Sequence, residues 1–161
     1  MRFLHWLVFS LFMVSSVIAQ AASPEAQADR RTNTITAEAS RKPVDWVSRG
    51  NKLMDAKRFR EAVMAYEKAL VLDEENVNVL VDLGTCYREI GKFDKAVEQF
   101  RTALTIDPSF PNAHRNLGIV LIYNLHENEE GAEELNQYLE LEPDGPDADA
   151  IRQVLLELSD E

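Results

Sequence analysis

A chain of 161 residues has room for one ordinary domain or a short repeat array, and its 45% hydrophobic content is enough for a core. Only 6 Gly and 6 Pro argue against a loop-rich all-β fold, and the single cysteine, Cys86, excludes an intramolecular disulfide framework or a multi-cysteine metal site. The net charge of −11 is uneven: residues 127–161 hold 13 acids and one base, Arg152, while residues 22–126 hold 15 of each, so no basic footprint of a nucleic-acid binder exists.

Met1-Arg2 followed by the apolar stretch Phe3 to Ile18 and then Ala19-Gln20-Ala21 predicts a secretory signal peptide over residues 1–21. The stretch is shorter than the roughly 20 apolar residues that span a bilayer core, so cleavage and an exported chain in a bacterial periplasm are expected. An uncut signal would leave the chain anchored in the inner membrane. After cleavage no stable membrane span is expected. Residues 22–42 are small or polar, with Ser23-Pro24-Glu25 and Arg30-Arg31-Thr32 among them, and read as a flexible polar tether.

From residue 43 onward the chain repeats itself. Gly50, Gly84 and Gly118 are spaced by 34 residues, as are Trp46, Leu80 and His114, and Arg49, Leu83 and Leu117. The same step links Ala62 to Ala96, Tyr66 to Phe100 and Ala69 to Ala103. Each unit holds two stretches of helical period. Leu80, Leu83, Tyr87 and Ile90 share one face, and Ala96, Val97, Phe100, Ala103 and Leu104 form the stripe that faces them. A break such as Ile90-Gly91-Lys92-Phe93 separates the two. The third unit is irregular: Pro143 follows Pro108 by 35 residues rather than 34. Pro146 is expected to open a last helix reaching Leu158.

Leu80, Leu83-Gly84, Tyr87, Ala96, Phe100, Ala103 and Pro108 stand at the signature spacing of the tetratricopeptide repeat, and the chain resembles that family. The resemblance implies an all-α solenoid over residues 43–159: three helix-turn-helix repeats at about 43–76, 77–110 and 111–145, then a capping helix at 146–158. It departs at Arg49, where an apolar residue is usual, and at Glu74, where a proline is usual.

Arrays of this kind line a concave wall with the first helix of each pair. The groove positions implied by the resemblance are Val44, Val47, Asn51, Met54 and Asp55, then Asn78, Val81, Thr85, Arg88 and Glu89, then Asn112, Arg115, Ile119, Ile122 and Tyr123. Their apolar members, rimmed by polar ones, read as a surface for a protein or peptide partner. The clamp by which chaperone-binding relatives hold a C-terminal carboxylate is broken. Asn51 and Asn116 stand at two of its positions, but Val47, Asp82 and Asn112 replace the Lys, Asn and Lys that the family uses there.

Enzyme chemistry finds no footing. His5 falls in the signal, His114 on a core-type helix position and His126 in a turn, none beside a nucleophile or at metal-ligand spacing. The carboxylates Glu127, Glu129, Glu130, Glu133 and Glu134 do not follow the order of a Ca²⁺ loop, and no cofactor or metal is expected. The expected function is a non-enzymatic interaction scaffold or adaptor in the cell envelope. The alternative is a self-assembling structural protein, a homo-oligomer built through the open N-terminal face of the first repeat or through the groove.

Overall fold

The structure, a computed structural model, describes residues 44–159. The expected signal peptide and tether lie outside the described residues. Among those residues seven α-helices occur and no strand. They pair as α1 (Trp46–Asp55) with α2 (Phe59–Leu70), α3 (Val77–Glu89) with α4 (Phe93–Ile106), and α5 (Pro111–Val120) with α6 (Asn128–Leu141). A final helix, α7, runs over Ala148–Ser159.

The first helices of the pairs start where the sequence offers a stop to the preceding chain. Asp45 Oδ1 accepts from the Ser48 amide at 3.0 Å, and Asn76 Oδ1 accepts from the Val79 amide at 3.2 Å. Each satisfies a donor that the helix leaves orphaned, an arrangement whose loss costs about 1 kcal/mol. In the third repeat Pro111 in the first turn takes over, since it has no amide proton to satisfy.

The turn inside each pair passes through one left-handed residue: Lys57 at φ 55°, Gly91 at φ 75° and His126 at φ 61°. These three stand at the same place in their repeats, and the structure thus extends the register through the irregular third unit. Only the second repeat uses glycine, which adopts this conformation without steric cost. The extra residue of the third repeat is absorbed just before His126. There α5 widens into a π turn over Leu121–Leu125, and the Glu127 amide closes back on the Leu121 carbonyl at 2.9 Å.

Within each hairpin the helices approach closely over a small residue. A Cβ added at Gly118 would lie 2.8 Å from the Gly131 carbonyl oxygen, so the α5–α6 crossing is backbone against backbone. Around these crossings lies one continuous core. Tyr66, Val79, Leu83, Phe100, Leu117 and Leu121 are buried in it, and it runs through all three repeats. A second cluster of Ile122, Leu135, Tyr138 and Ile151, backed by Val154, Leu155 and Leu158, seats α7 on α6. Pro146 does not open α7. Turn bonds from Gly145 to Glu142 and from Ala148 to Gly145 carry the chain two residues further before the helix begins. No helix among the described residues is long and apolar enough to cross a membrane.

Candidate functional site

The first helices α1, α3 and α5 form one wall, with α3 and α5 in direct contact along it. Asn51, Asn78 and Asn112 are exposed on this wall, and Val47, Met54, Thr85, Arg88, Arg115 and Ile119 are half-buried. Tyr123, in the π turn, is 56% exposed. Two expected groove residues belong elsewhere. Val81 is only 6% exposed and joins the main core, while Ile122 is 5% exposed and packs beside Gly131 in the cluster under α7. The reason is curvature of the pattern: α3 is flanked on both sides by helices, and the π turn rotates Ile122 inward. The apolar part of the groove therefore rests on Val47, Met54, Ile119 and Tyr123, with Val44 exposed at its edge.

Polar groups line the wall as a ledge in two separately bonded sets. The buried Tyr66 reaches from α2, and its hydroxyl donates to Asn51 Oδ1 at 2.8 Å. Asn116 Nδ2 donates to Thr85 Oγ1 at 3.3 Å, and Thr85 donates in turn to the Val81 carbonyl at 2.9 Å. Arg115 donates to Asn116 Oδ1 at 3.3 Å through Nε and at 3.2 Å through Nη2, and its Nη1 is paired with Asp147 before α7. Arg88 is paired with the neighbouring Glu89 at 2.7 Å. Both arginines expected to rim the groove are thus already neutralised by carboxylates of the same chain.

Asp82 is the opposite case. It is half-buried in the wall at the middle repeat, and the one group near it that favours its charged form is the Tyr66 hydroxyl. Burial raises its carboxyl above the ordinary carboxylate range, and the nearby Tyr66 hydroxyl only partly offsets that. Burial, with Asp82 adding its charge, likewise raises the Tyr66 hydroxyl well above its ordinary value. The sequence showed Asp82 only as a mismatch in the carboxylate clamp. The available signal was its i, i+3 spacing from Thr85, which places both on one helix face.

The remaining candidates are structural. His114 is buried, with Nδ1 2.7 Å from Glu134 and Nε2 2.9 Å from the Pro108 carbonyl, so it ties the start of the third repeat to α6. Cys86 is buried in the core, and burial, with the charges of Asp82 and Glu89, pushes its thiol up to about 12. Such a thiol is unreactive. Among the described residues no group of His, Cys, Asp or Glu is placed to hold a metal ion.

Stacked helical hairpins of 34-residue period, with a polar ledge along their first helices, define the class as a helical repeat solenoid. Two family models match within it: "TPR repeat" over residues 84–122 and "Tetratricopeptide repeat" over residues 65–98. Among curated proteins, the small glutamine-rich tetratricopeptide repeat-containing protein 2 of Mycosarcoma maydis is 31% identical over 94 residues, 58% of this chain and 26% of that protein. Among solved structures, the first TPR domain of Spaghetti (RPAP3), bound to an HSP90 peptide, superposes with a TM-score of 0.66 at 24% identity, covering 71% of this chain and 90% of that one. The Sgt2 TPR domain of Aspergillus fumigatus gives a TM-score of 0.64 at 25% identity, covering 71% and 75%. The fold is a tetratricopeptide-repeat solenoid, and the matches support the tetratricopeptide-repeat family for this chain. The chain spans about a quarter of the length of the Mycosarcoma maydis relative.

Proposed function

We propose that this chain is a protein-interaction scaffold that holds an extended segment or helix of a partner protein against the wall of α1, α3 and α5. The observation that carries the reading is the ledge itself. Polar groups from Asn51 to Arg115 line the wall between half-buried apolar residues, and that mixture suits a peptide needing both pockets and hydrogen bonds. Domains of the same fold hold HSP90 and HSP70 peptides, according to the complexes in which they were solved. The charges here favour a different ligand. With Arg88 and Arg115 neutralised and Asp82 lacking a cation, a free C-terminal carboxylate gains nothing, whereas a lysine or arginine side chain over Asp82 gains a counterion. The scaffold works outside the cytoplasmic membrane, in the cell envelope. Met1-Arg2, the apolar stretch Phe3 to Ile18 and Ala19-Gln20-Ala21 support that placement.

A selection of random displayed peptides on the full chain tests the reading. Enriched peptides should place a lysine or arginine among apolar residues. They should bind an Asn51→Trp/Asn112→Trp variant at least about tenfold more weakly, because both positions are exposed and the new rings occupy the groove. Peptides that bind the filled variant as well as the parent would remove the groove from the function.

A further inference from the structure

The first repeat carries a stacking slot with no occupant among the described residues. Trp46, Arg49 and Leu53 stand one repeat before Leu80, Leu83 and Tyr87, which are buried against the helix pair that precedes them. Before α1 no such pair is described. Its place is a shallow hollow of about 190 Å³ lined by Trp46, Arg49, Leu53, Glu61, Met64 and Lys68, with Glu61 paired to Arg58 at its edge. Met64 is 59% exposed there. The hollow is also cationic at its centre: Lys68 Nζ lies 4.4 Å and the Arg49 guanidinium 5.6 Å from the Trp46 ring centroid.

The other end of the array has the complementary surface. The outward side of α7 exposes Asp149, Gln153 and Glu157 around Leu156, which is 61% exposed. Arg152, the one base between residues 127 and 161, is held by Asp149 and by the Pro143 carbonyl. Residues 44–70, by contrast, carry six bases and four acids.

We propose that the slot on the first repeat receives the outer face of α7 from a second copy, so that copies add head to tail. Leu156 enters the hollow beside Trp46 and Met64, and the acids around it face Arg49 and Lys68. Charge decides among the three ways two copies can pair. Head against head sets Arg49 and Lys68 opposite their own counterparts, and tail against tail sets Asp149 and Glu157 opposite theirs. Only head to tail is complementary. Such a contact joins two different patches and does not close on itself, so each added copy offers a fresh slot. The groove remains open throughout, so the proposal does not depend on what the groove binds.

Sedimentation velocity on the full chain tests it, with two variants changed only at exposed positions. Met64→Glu/Lys68→Glu blocks the head, and Leu156→Lys/Glu157→Lys blocks the tail; both are checked for an unchanged circular-dichroism melt. The parent should grow past the dimer with concentration, and its association should weaken at least about tenfold between 0.05 and 0.5 M salt. Each variant alone should stay monomeric, and an equimolar mixture should form a 1:1 dimer and nothing larger. Four results would overturn the proposal: a parent monomeric at every concentration, a head-blocked variant that associates like the parent, a blocked variant that dimerises alone, or a mixture that does not combine. The first of these would leave the slot to a different protein.

Discussion

The Tyr87 hydroxyl, on the first helix of the second repeat, donates to Glu67 Oε1 on the second helix of the first repeat at 2.7 Å. The bond crosses the boundary between the first two repeats, and Lys92 and Lys95 lie over the same ring at 5.9 and 5.4 Å. Burial first, and then the Glu67 bond, pushes the Tyr87 hydroxyl up to about 12, so it is a donor at any physiological pH.

Tyr87→Phe should therefore lower stability by about 1 kcal/mol, because the ring still fills its place and only the bond is lost. In a thermal melt followed by circular dichroism that is a fall of roughly 4 °C. Glu67→Gln retains an acceptor and should cost less. If the two substitutions add in the double variant, the hydroxyl and the carboxylate are not coupled and the bridge between repeats has no energetic meaning.

The close crossings make a graded expectation. A Cβ at Gly84 would lie 2.5 Å from a Phe100 ring carbon, and a side chain can shift. At Gly118 the obstacle includes the Gly131 carbonyl oxygen, which belongs to α6 and cannot move alone. Gly118→Ala should thus destabilise more than Gly84→Ala, with overpacking of about 1–3 kcal/mol partly offset in both by the roughly 1 kcal/mol helix preference of alanine. Urea titration of both variants ranks them. Equal midpoints would mean that the α5–α6 crossing relaxes as easily as a phenylalanine ring.

Much of this architecture is legible in the sequence because the repeat prints the same packing demand three times. Gly50, Gly84 and Gly118 mark the crossings, and Tyr66 and Phe100 fill the space above the first two. Periodicity could not tell a core position from a wall position where both are apolar. Val81 and Ile122 fit the groove register, yet neighbouring helices on both sides of α3 and the π turn after α5 bury them. The pairing of Arg115 with Asp147 was also hidden. The two are 32 residues apart with no shared period, and Asp147 lies in a turn that the sequence assigned to α7.

Asp82 gives the sharpest pH expectation. Its carboxyl is raised by burial, so the folded chain penalises the charged form. The cost is fully present above the folded value, diminishes as the pH falls through it, and is gone below the unfolded value, where both states are protonated. Asp82→Asn should therefore raise the melting temperature at pH 7, and the gain should shrink steadily on acidification and vanish near pH 3. The amide has nearly the shape of the carboxyl it replaces and needs no counterion, so the local geometry has a reason to persist. The same substitution removes the half-buried carboxylate at the middle of the wall, and a lysine-bearing peptide selected on the parent should bind it more weakly while tolerating higher salt. Thermal melts at four pH values and one salt-dependent binding curve check both halves. A variant less stable than the parent at pH 7 would mean that Asp82 is satisfied in the folded chain, and the groove's preference for a basic ligand would lose its physical basis.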